Sequence, residues 1–196
     1  MGRSALILCD LQNAILSHVP DTKDELLRKT VPVLAAAREH AGEHGPLLIV
    51  HVAVKFRPGL HEISPNNKSF YALKDRGEFF TEGNPACDFA PEVAPKAGEV
   101  QVTKRRVGAF STTDLQTVLS SNGVTKIYLA GIATSGVILS TVRDAADRDY
   151  QIVVIRDACT DRDEEVHRVL IEKVLSKQAD IVTSEEFVAA AVAGKL

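Results

Sequence analysis

Short apolar runs alternate along this chain with longer segments in which apolar residues recur every three or four positions. The short runs are rich in Val, Ile and Leu and predict six β-strands. These strands are expected at residues 5–9, 47–54, 100–103, 126–130, 151–155 and 179–182. Because strands that are apolar throughout are buried on both faces, the pattern predicts a parallel sheet with helices on each side.

The longer segments predict helices at residues 22–43, 112–121, 135–147, 163–177 and 184–193, each with a capping residue at one end or both. In the fourth of them, Val166, Val169, Leu170 and Val174 are expected to form the apolar face. The predicted fold is α/β, a three-layer αβα sandwich around a six-stranded parallel sheet of Rossmann-like type. A chain of 196 residues is predicted to form a single domain over residues 1–196.

Residues 55–98 break this alternation, since the stretch is rich in Pro, Gly and Asn and has no strong periodicity. Structureless connections of that length are uncommon in compact domains and are usually functional or disordered. We interpret this long irregular loop as a cover over a binding site or as a contact between subunits.

Composition then narrows the classes of function. The chain has 23 Lys and Arg against 26 Asp and Glu, so its net charge of −3 gives no reason to expect a nucleic-acid partner. No apolar run approaches the roughly 20 residues of a membrane-spanning helix, so no membrane partner is expected. Neither a secretory leader nor a disulfide framework is indicated, and the three cysteines show no CxxC spacing. The expected location is the cytoplasm.

Ligands of open α/β sheets bind beyond the carboxyl ends of the strands, which directs attention to Asp10, Lys55, Lys104, Gly131 and Asp157. Asp10 fits a general acid or base, or alternatively the N-cap of a helix. Lys104 begins a run of three cations that fits either a solvated loop or a partner that keeps Asp10 ionised. The glycine-rich fingerprints of nucleotide sites are absent, and no cofactor is expected.

The fourth strand runs into a turn of small residues, Gly131-Ile132-Ala133-Thr134-Ser135-Gly136, and then into a helix. Such a junction presents backbone N–H groups that suit an anion or an oxyanion. It is equally compatible with an ordinary tight turn in which Thr134 or Ser135 caps the helix.

Four segments together resemble the isochorismatase-like hydrolase superfamily, also called the cysteine hydrolases. They are Leu8-Cys9-Asp10-Leu11-Gln12-Asn13, the stretch from Lys104 to Leu115, Gly131-Ile132-Ala133-Thr134-Ser135-Gly136 and Asp157-Ala158-Cys159-Thr160-Asp161. Each is weak alone, but the four stand in the family's order. The resemblance implies a small-molecule substrate and a site made of an Asp, a Lys and a Cys nucleophile, here at Asp10, Lys104 and position 137.

The resemblance also implies an oxyanion turn formed by Ala133, Thr134 and residue 137, with a cis peptide bond at Ala133–Thr134. Gln12 and Phe110 lie in matching motifs and are candidate substrate contacts, together with Lys55 and Arg57, a basic pair that fits a substrate carboxylate or an exposed loop. A homo-oligomer, dimer or tetramer, is implied too.

The sequence departs from the family pattern at the nucleophile, because position 137 is Val. Cys9 is expected to face a helix layer, Cys87 lies in the long loop and Cys159 matches a non-catalytic position, so a thioester route is not supported. The family's isochorismatases proper also lack the Cys and hydrolyse a vinyl ether with the Asp, the Lys and water. We therefore expect a hydrolase of an amide or vinyl-ether bond that uses Asp10 and Lys104 without a Cys.

Two other interpretations stay open. One is a non-catalytic, small-molecule-binding pseudoenzyme of the same fold, and the weaker one is a redox protein that uses Cys9 or Cys159. The Asp-x-His of the family's metal-binding members is missing, and His51 in its strand is more typical of a packed core residue, so no metal is expected. His167 is given no catalytic role.

Overall fold

The computed structural model describes residues 2–42 and 45–196 and contains one six-stranded sheet in which every neighbouring pair is parallel. The strands are β1 (Arg3–Cys9), β2 (Leu47–Val54), β3 (Val100–Lys104), β4 (Val124–Ile132), β5 (Gln151–Thr160) and β6 (Asp180–Val182). Their spatial order is β3-β2-β1-β4-β5-β6. The predicted strands and the α/β class are confirmed.

The helices are α1 (Asn13–Leu16), α2 (Lys23–His40), α3 (Lys68–Tyr71), α4 (Leu115–Ser121), α5 (Leu139–Ala146), α6 (Glu164–Val169) and α7 (Ser184–Val192). The predicted continuation of α2 to Glu43 is wrong at Ala41, where the backbone is extended and the helix has ended at His40, and Glu43 itself lies outside the described residues. Helices α2 and α7 pack together on one face of the sheet, and α4 and α5 lie on the other. Among the described residues, no helix is long and apolar enough to cross a membrane.

Two apolar clusters, one on each face of the sheet, form the core. Alternate residues of β1 point into each of them, with Ile7 and Cys9 on the α4–α5 side and Leu6 and Leu8 on the α2–α7 side. Cys9 therefore faces a helix layer, as predicted. The sheet is covered on both faces, which explains why its strands are apolar throughout.

Strand β5 is longer than predicted and contains a wide irregularity. Leu129 of β4 pairs with Val154, but Gly131, two residues later, pairs with Cys159. Asp157 lies inside this irregularity, and its carboxylate accepts hydrogen bonds from the N–H and hydroxyl of Ser184, both at 2.7 Å. The expectation that Asp157 follows the strand end is therefore wrong, because the strand continues to Thr160 and the side chain fastens α7.

The predicted helix over residues 163–177 is divided. Helix α6 is followed by a π-helical turn, Leu170–Val174, and a 3₁₀ turn, Leu175–Lys177. Ile171 and Leu175 are the buried residues of this segment, whereas Val166 is 37% exposed. The predicted apolar face was therefore partly wrong, because the wider π-helical turn rotates the later residues relative to those of α6.

The 55–98 segment is more ordered than its sequence indicated. It contains α3 and three 3₁₀ turns, Ala72–Phe80, Pro85–Cys87 and Pro91–Val93. A third apolar cluster, which includes Phe56, Ile63 and Phe80, packs inside it. These elements are short, and the cluster also includes Ala14 and Val54 from outside the segment. The interpretation as a cover over a binding site or a contact between subunits stays a prediction.

Candidate active site

Asp10 lies immediately beyond β1, where the backbone leaves the extended conformation. Its φ of +57° is in the left-handed region, which Asp tolerates better than most residues. Its N–H still donates to the carbonyl of Val52 at 2.8 Å, so the residue stays attached to the sheet while its side chain turns toward the carboxyl edge.

Lys104 ends β3, which is separated from β1 by β2. Two strand spacings are about 10 Å, a distance that a long Lys side chain can bridge. Lys104 Nζ lies 2.9 Å from Asp10 Oδ2, and both residues are buried. The ammonium also donates to the carbonyls of Arg106, at 3.1 Å, and Val107, at 3.0 Å. All three ammonium protons therefore have acceptors inside the protein.

The Asp10 carboxylate has fewer hydrogen-bond partners than the Lys104 ammonium. Oδ1 is buried and has no hydrogen-bond partner among the described residues. Burial raises the pKa of Asp10 above its ordinary value, and the charge and hydrogen bond of Lys104 offset this only in part. A raised pKa brings a carboxyl group closer to the range in which it exchanges protons at neutral pH.

Asp10 and Lys104 line a cavity of about 370 Å³, a volume suited to a small molecule. Val137 lines the same cavity, as do Ala133 and Gly136 of the turn after β4. Much of the remaining wall is apolar and is contributed by Ile15, Val19, Phe70, Leu73, Phe80 and Val107. Three of these residues belong to the 55–98 segment, which therefore walls the cavity.

The turn after β4 contains a cis peptide bond, but at Ile132–Ala133 and not at the predicted Ala133–Thr134. Ala133 is extended and caps a π-helical turn, Thr134–Ile138, that leads into α5. The expected position was one residue late, because the helical conformation already begins at Thr134 and the cis bond precedes the cap.

The amides of this turn are only partly available to a ligand. The N–H of Ser135 donates to Asp161 Oδ2 at 2.7 Å, and those of Gly136 and Ile138 donate to the carbonyl of Ala133 at 3.1 and 3.3 Å. Any oxyanion cradle must therefore use other amides of the turn.

Val137 is 2% exposed and packs into the core cluster on the α4–α5 side while it lines the cavity. The three cysteines are buried, and none of them lines the cavity. Burial raises the pKa of Cys9 well above its ordinary value and that of Cys159 to about 12. Neither thiol is activated for redox chemistry.

Gln12 does not reach the cavity as the resemblance implied. Its fully buried amide donates to the carbonyls of Val54, at 3.1 Å, and Cys87, at 2.8 Å, and accepts from the N–H of Val54 at 2.8 Å. The substrate contact stays a prediction, and in this structure the backbone of two other segments uses both ends of the amide.

The other candidate substrate contacts also lie elsewhere. Phe110 is buried against Tyr150, with a ring-centroid separation of 6.1 Å, and Arg148 lies over its other side. Lys55 points to the ring of Phe89, and Arg57 pairs with Glu62 at 2.6 Å. None of the three candidates lines the cavity, because each is held by a neighbour outside it.

Sequence reasoning missed several residues of the cavity. His18 and Arg162 line it, and Arg76 contacts His18 from the 55–98 segment. Burial and the charges of Arg162 and Arg76 lower the pKa of His18. Arg162 follows the true end of β5, which the sequence placed too early, and no local pattern marks His18 or Arg76.

His51 is buried in β2, as predicted, and its Nε2 lies 2.8 Å from Glu99 Oε2. Within residues 2–42 and 45–196, no three His, Cys, Asp or Glu side chains are grouped as metal ligands are.

Comparison with known proteins gives one consistent family. The isochorismatase domain family matches residues 4–186. Maleamate amidohydrolase of Pseudomonas putida is 32% identical over 140 residues, which are 71% of this chain and 64% of that protein, so the match spans less than two thirds of its length. A probable isochorismatase of Pseudomonas chlororaphis is 33% identical over 95% of this chain and 85% of its own.

Solved structures agree with the sequence matches. An isochorismatase family protein from Burkholderia thailandensis superposes with a TM-score of 0.80 and 26% identity, over 96% of this chain and 95% of that one. With the domain match covering nearly the whole chain, the fold and the sequence lead to the same assignment: this protein belongs to the isochorismatase family of hydrolases.

Proposed function

We propose that this protein hydrolyses a small molecule with Asp10 and Lys104 and without a cysteine nucleophile. The observation that supports this most directly is the buried 2.9 Å contact between the two side chains, at a cavity whose nucleophile position is occupied by Val137. A valine has no atom that can attack a carbonyl group or hold a proton, so the chemistry falls to the carboxylate and to water.

For an amide substrate, Asp10 acts in this proposal first as a base and then as an acid. Its carboxylate accepts a proton from water while the water oxygen bonds to the substrate carbonyl carbon, and the carbonyl electrons move onto oxygen. The carbonyl then re-forms as the C–N bond breaks, and Asp10 returns the proton to the leaving nitrogen. The amides of Ala133, Thr134 and Val137 are the proposed donors to the transient oxyanion.

Lys104 has a supporting part in this scheme. Its three protons are already directed to Asp10, Arg106 and Val107, so it has no proton left to donate to a substrate in this arrangement. It holds Asp10 Oδ2 in place and leaves Oδ1 for the reacting proton.

The bond type is proposed to be an amide or a vinyl ether. One relative of this chain is named a maleamate amidohydrolase and another a probable isochorismatase, which represent these two classes of substrate. The apolar wall favours a compact, largely apolar body, and the branched side chain of Val137 narrows the cavity next to the reacting pair.

A hydrolysis screen tests the proposal. The purified protein is incubated with small amides, carbamoyl compounds and enol ethers, beside Asp10→Asn and the matched control Asp149→Asn. Asp149 is also an Asp with positive φ, of 61°, but it is exposed and does not line the cavity. We expect turnover that falls at least about 100-fold in Asp10→Asn and is unchanged in Asp149→Asn. Equal turnover in a folded Asp10→Asn variant would rule the mechanism out.

A second candidate is a small-molecule-binding pseudoenzyme, favoured by the buried valine at the nucleophile position. The variant Val137→Cys separates the two proposals. Amide hydrolysis by Val137→Cys together with a silent parent supports the binding protein, whereas turnover by the parent supports the hydrolase.

A further inference from the structure

His167 touches the turn after β4 from outside the cavity. It lies on α6, and its Nδ1 is 2.7 Å from Thr134 Oγ1. Thr134 is completely buried at the start of the turn, and its hydroxyl also lies 3.2 Å from the carbonyl oxygen of Thr160. His167 itself does not line the cavity that contains Asp10.

The proton count of this cluster assigns a tautomer to His167. A threonine hydroxyl has one proton, and a backbone carbonyl only accepts. Thr134 therefore donates to Thr160, and its contact with His167 is a second hydrogen bond only if Nδ1 carries a proton and donates. In the neutral ring, Nε2 is then the unprotonated nitrogen.

This contact is one of three that fix the turn at two successive residues, Thr134 and Ser135. Thr134 is held through its side chain by His167 and Thr160, and Ser135 is held through its N–H by Asp161. Val137, which lines the cavity, follows within the same five-residue π-helical turn. The position of its amide therefore depends on Thr160 of β5 and His167 of α6, which do not line the cavity, and on Asp161 just after β5, which does.

We propose that His167 is a positioning residue whose Nδ1–H, bonded to Thr134 Oγ1, holds the turn so that its amides face the reacting atoms beside Asp10. The consequence for turnover rests on the proposed hydrolase function. The assignment of the tautomer and of the contact between His167 and Thr134 is independent of that function.

The surroundings of His167 keep the ring neutral at the pH of the test. Burial lowers the pKa of His167, Asp161 and Glu164 raise it, Arg156 lowers it, and the net result lies below the ordinary value. At pH 8 a single ring nitrogen is therefore protonated, and nitrogen-15 NMR of imidazole-labelled protein identifies which one. The His167 signals are assigned by their loss in His167→Ala. We expect a proton on Nδ1; a proton on Nε2 would overturn the proposal.

Two substitutions show which of the two ring nitrogens donates to Thr134. The side-chain nitrogen of Asn lies as many bonds from Cα as Nδ1, and that of Gln as many as Nε2. If Nδ1 is the donor, His167→Asn should retain the hydrogen bond to Thr134 Oγ1, whereas His167→Gln and His167→Ala should lose it. Thr134→Val, which keeps the shape but removes the hydroxyl, is the partner variant for a double-mutant cycle.

The first readout is turnover of the substrate that the screen identifies. We expect kcat to fall about tenfold in His167→Ala and His167→Gln, with KM within about twofold, and to recover to within about threefold of the parent in His167→Asn. Thr134→Val also removes the contact with Thr160, so it should lower kcat at least as much as His167→Ala does, and the double variant should lose no more than Thr134→Val alone. Equal losses of kcat in His167→Asn and His167→Gln, or additive losses in the double variant, contradict the proposal.

The second readout needs no substrate. Amide hydrogen exchange at Val137 and Ile138 should be about tenfold faster in His167→Ala and His167→Gln than in the parent, and close to the parent in His167→Asn. If the hydrolysis screen is silent, the hydrolase proposal fails while this exchange pattern still decides the role of His167. Unchanged exchange in His167→Ala would overturn it.

Discussion

Asp10 is a buried carboxylate and Glu99 a half-buried one, and both face cations, but their partners differ in number. The side chain of Asp10 is 7% exposed and contacts one cation, Lys104, through one oxygen. The side chain of Glu99 is 9% exposed and accepts two hydrogen bonds from Arg38, at 2.7 and 3.0 Å. It also lies 2.8 Å from His51 Nε2 and accepts from the N–H of Lys96 at 2.9 Å.

The protonation of the two groups follows from this difference. Burial raises the pKa of Glu99, but the hydrogen bonds from Arg38, Lys96 and His51 outweigh burial and bring it to about 2. Asp10 is more deeply buried, and burial outweighs the opposing effects of Lys104 and of the Val54 backbone, so the pKa of Asp10 is raised.

The comparison shows which buried charge is suited to chemistry. A carboxylate whose oxygens are all hydrogen-bonded stays ionised and serves as a structural link, as Glu99 does between β3, α2 and β2. A carboxylate with one free oxygen and a raised pKa exchanges protons, as proposed for Asp10. Variants of the partner cations test this distinction.

Lys104→Met should have the largest effect on stability. It leaves Asp10 without a cation in a buried site, and breaking such a pair costs about 3–5 kcal/mol of the free energy of unfolding. Without Lys104 the pKa of Asp10 rises further, so the variant should lose stability as the pH rises through that value and be closer to the parent at lower pH. Urea denaturation at pH 5.5 and pH 8 measures both effects.

The double variant Lys104→Met with Asp10→Asn is the matched control. It should recover more than half of the loss at pH 8, because the uncompensated charge is gone. A cost below about 1 kcal/mol for Lys104→Met alone would show that Asp10 is already neutral in the parent.

Arg38→Met should have a smaller effect, although Arg38 makes more hydrogen bonds to its carboxylate than Lys104 does. Glu99 keeps His51 and the N–H of Lys96, so the expected loss is about 2 kcal/mol, in the range of hydrogen bonds to a charged group. Arg38→Lys, which keeps the charge but loses the planar fork, should cost less. A loss in Arg38→Met equal to that in Lys104→Met would contradict the view that Glu99 is held redundantly.

The sheet-edge wall of the cavity could be predicted from the sequence because its positions follow from local patterns. Parallel strands bring their carboxyl ends to one edge, so residues that follow apolar runs, such as Asp10 and Lys104, meet there whatever lies between them. Val137 was placed by the family resemblance instead, as the third residue after Thr134, where the family has its nucleophile.

The cavity wall formed by the 55–98 segment and the buried hydrogen bonds of Gln12 could not be predicted, because they depend on contacts between distant segments. Gln12 bonds to backbone groups 42 and 75 residues away, and no neighbouring residue indicates that its amide is consumed there. Phe70 and Phe80 reach the cavity through the packing of the 55–98 segment, whose sequence shows no strong periodicity. The end of β5 was misplaced because the irregularity opposite Gly131 has no sequence signal that we recognised.

The smallest of the three effects is a difference in acid sensitivity between the parent and Glu99→Gln. The folded-state pKa of Glu99 is about 2 against an ordinary value of 4.5, so its contribution to stability is complete above pH 4.5 and is lost as the pH falls toward 2. Between pH 5 and pH 2.5 the parent should lose about 1 kcal/mol more than Glu99→Gln, after allowance for partial screening. Asp10→Asn should keep this acid loss, since the raised pKa of Asp10 contributes with the opposite sign. If the free energy of unfolding falls equally with pH in the parent and in Glu99→Gln, Glu99 is not held by its four donors. The number of partners would then not explain why the two carboxylates differ.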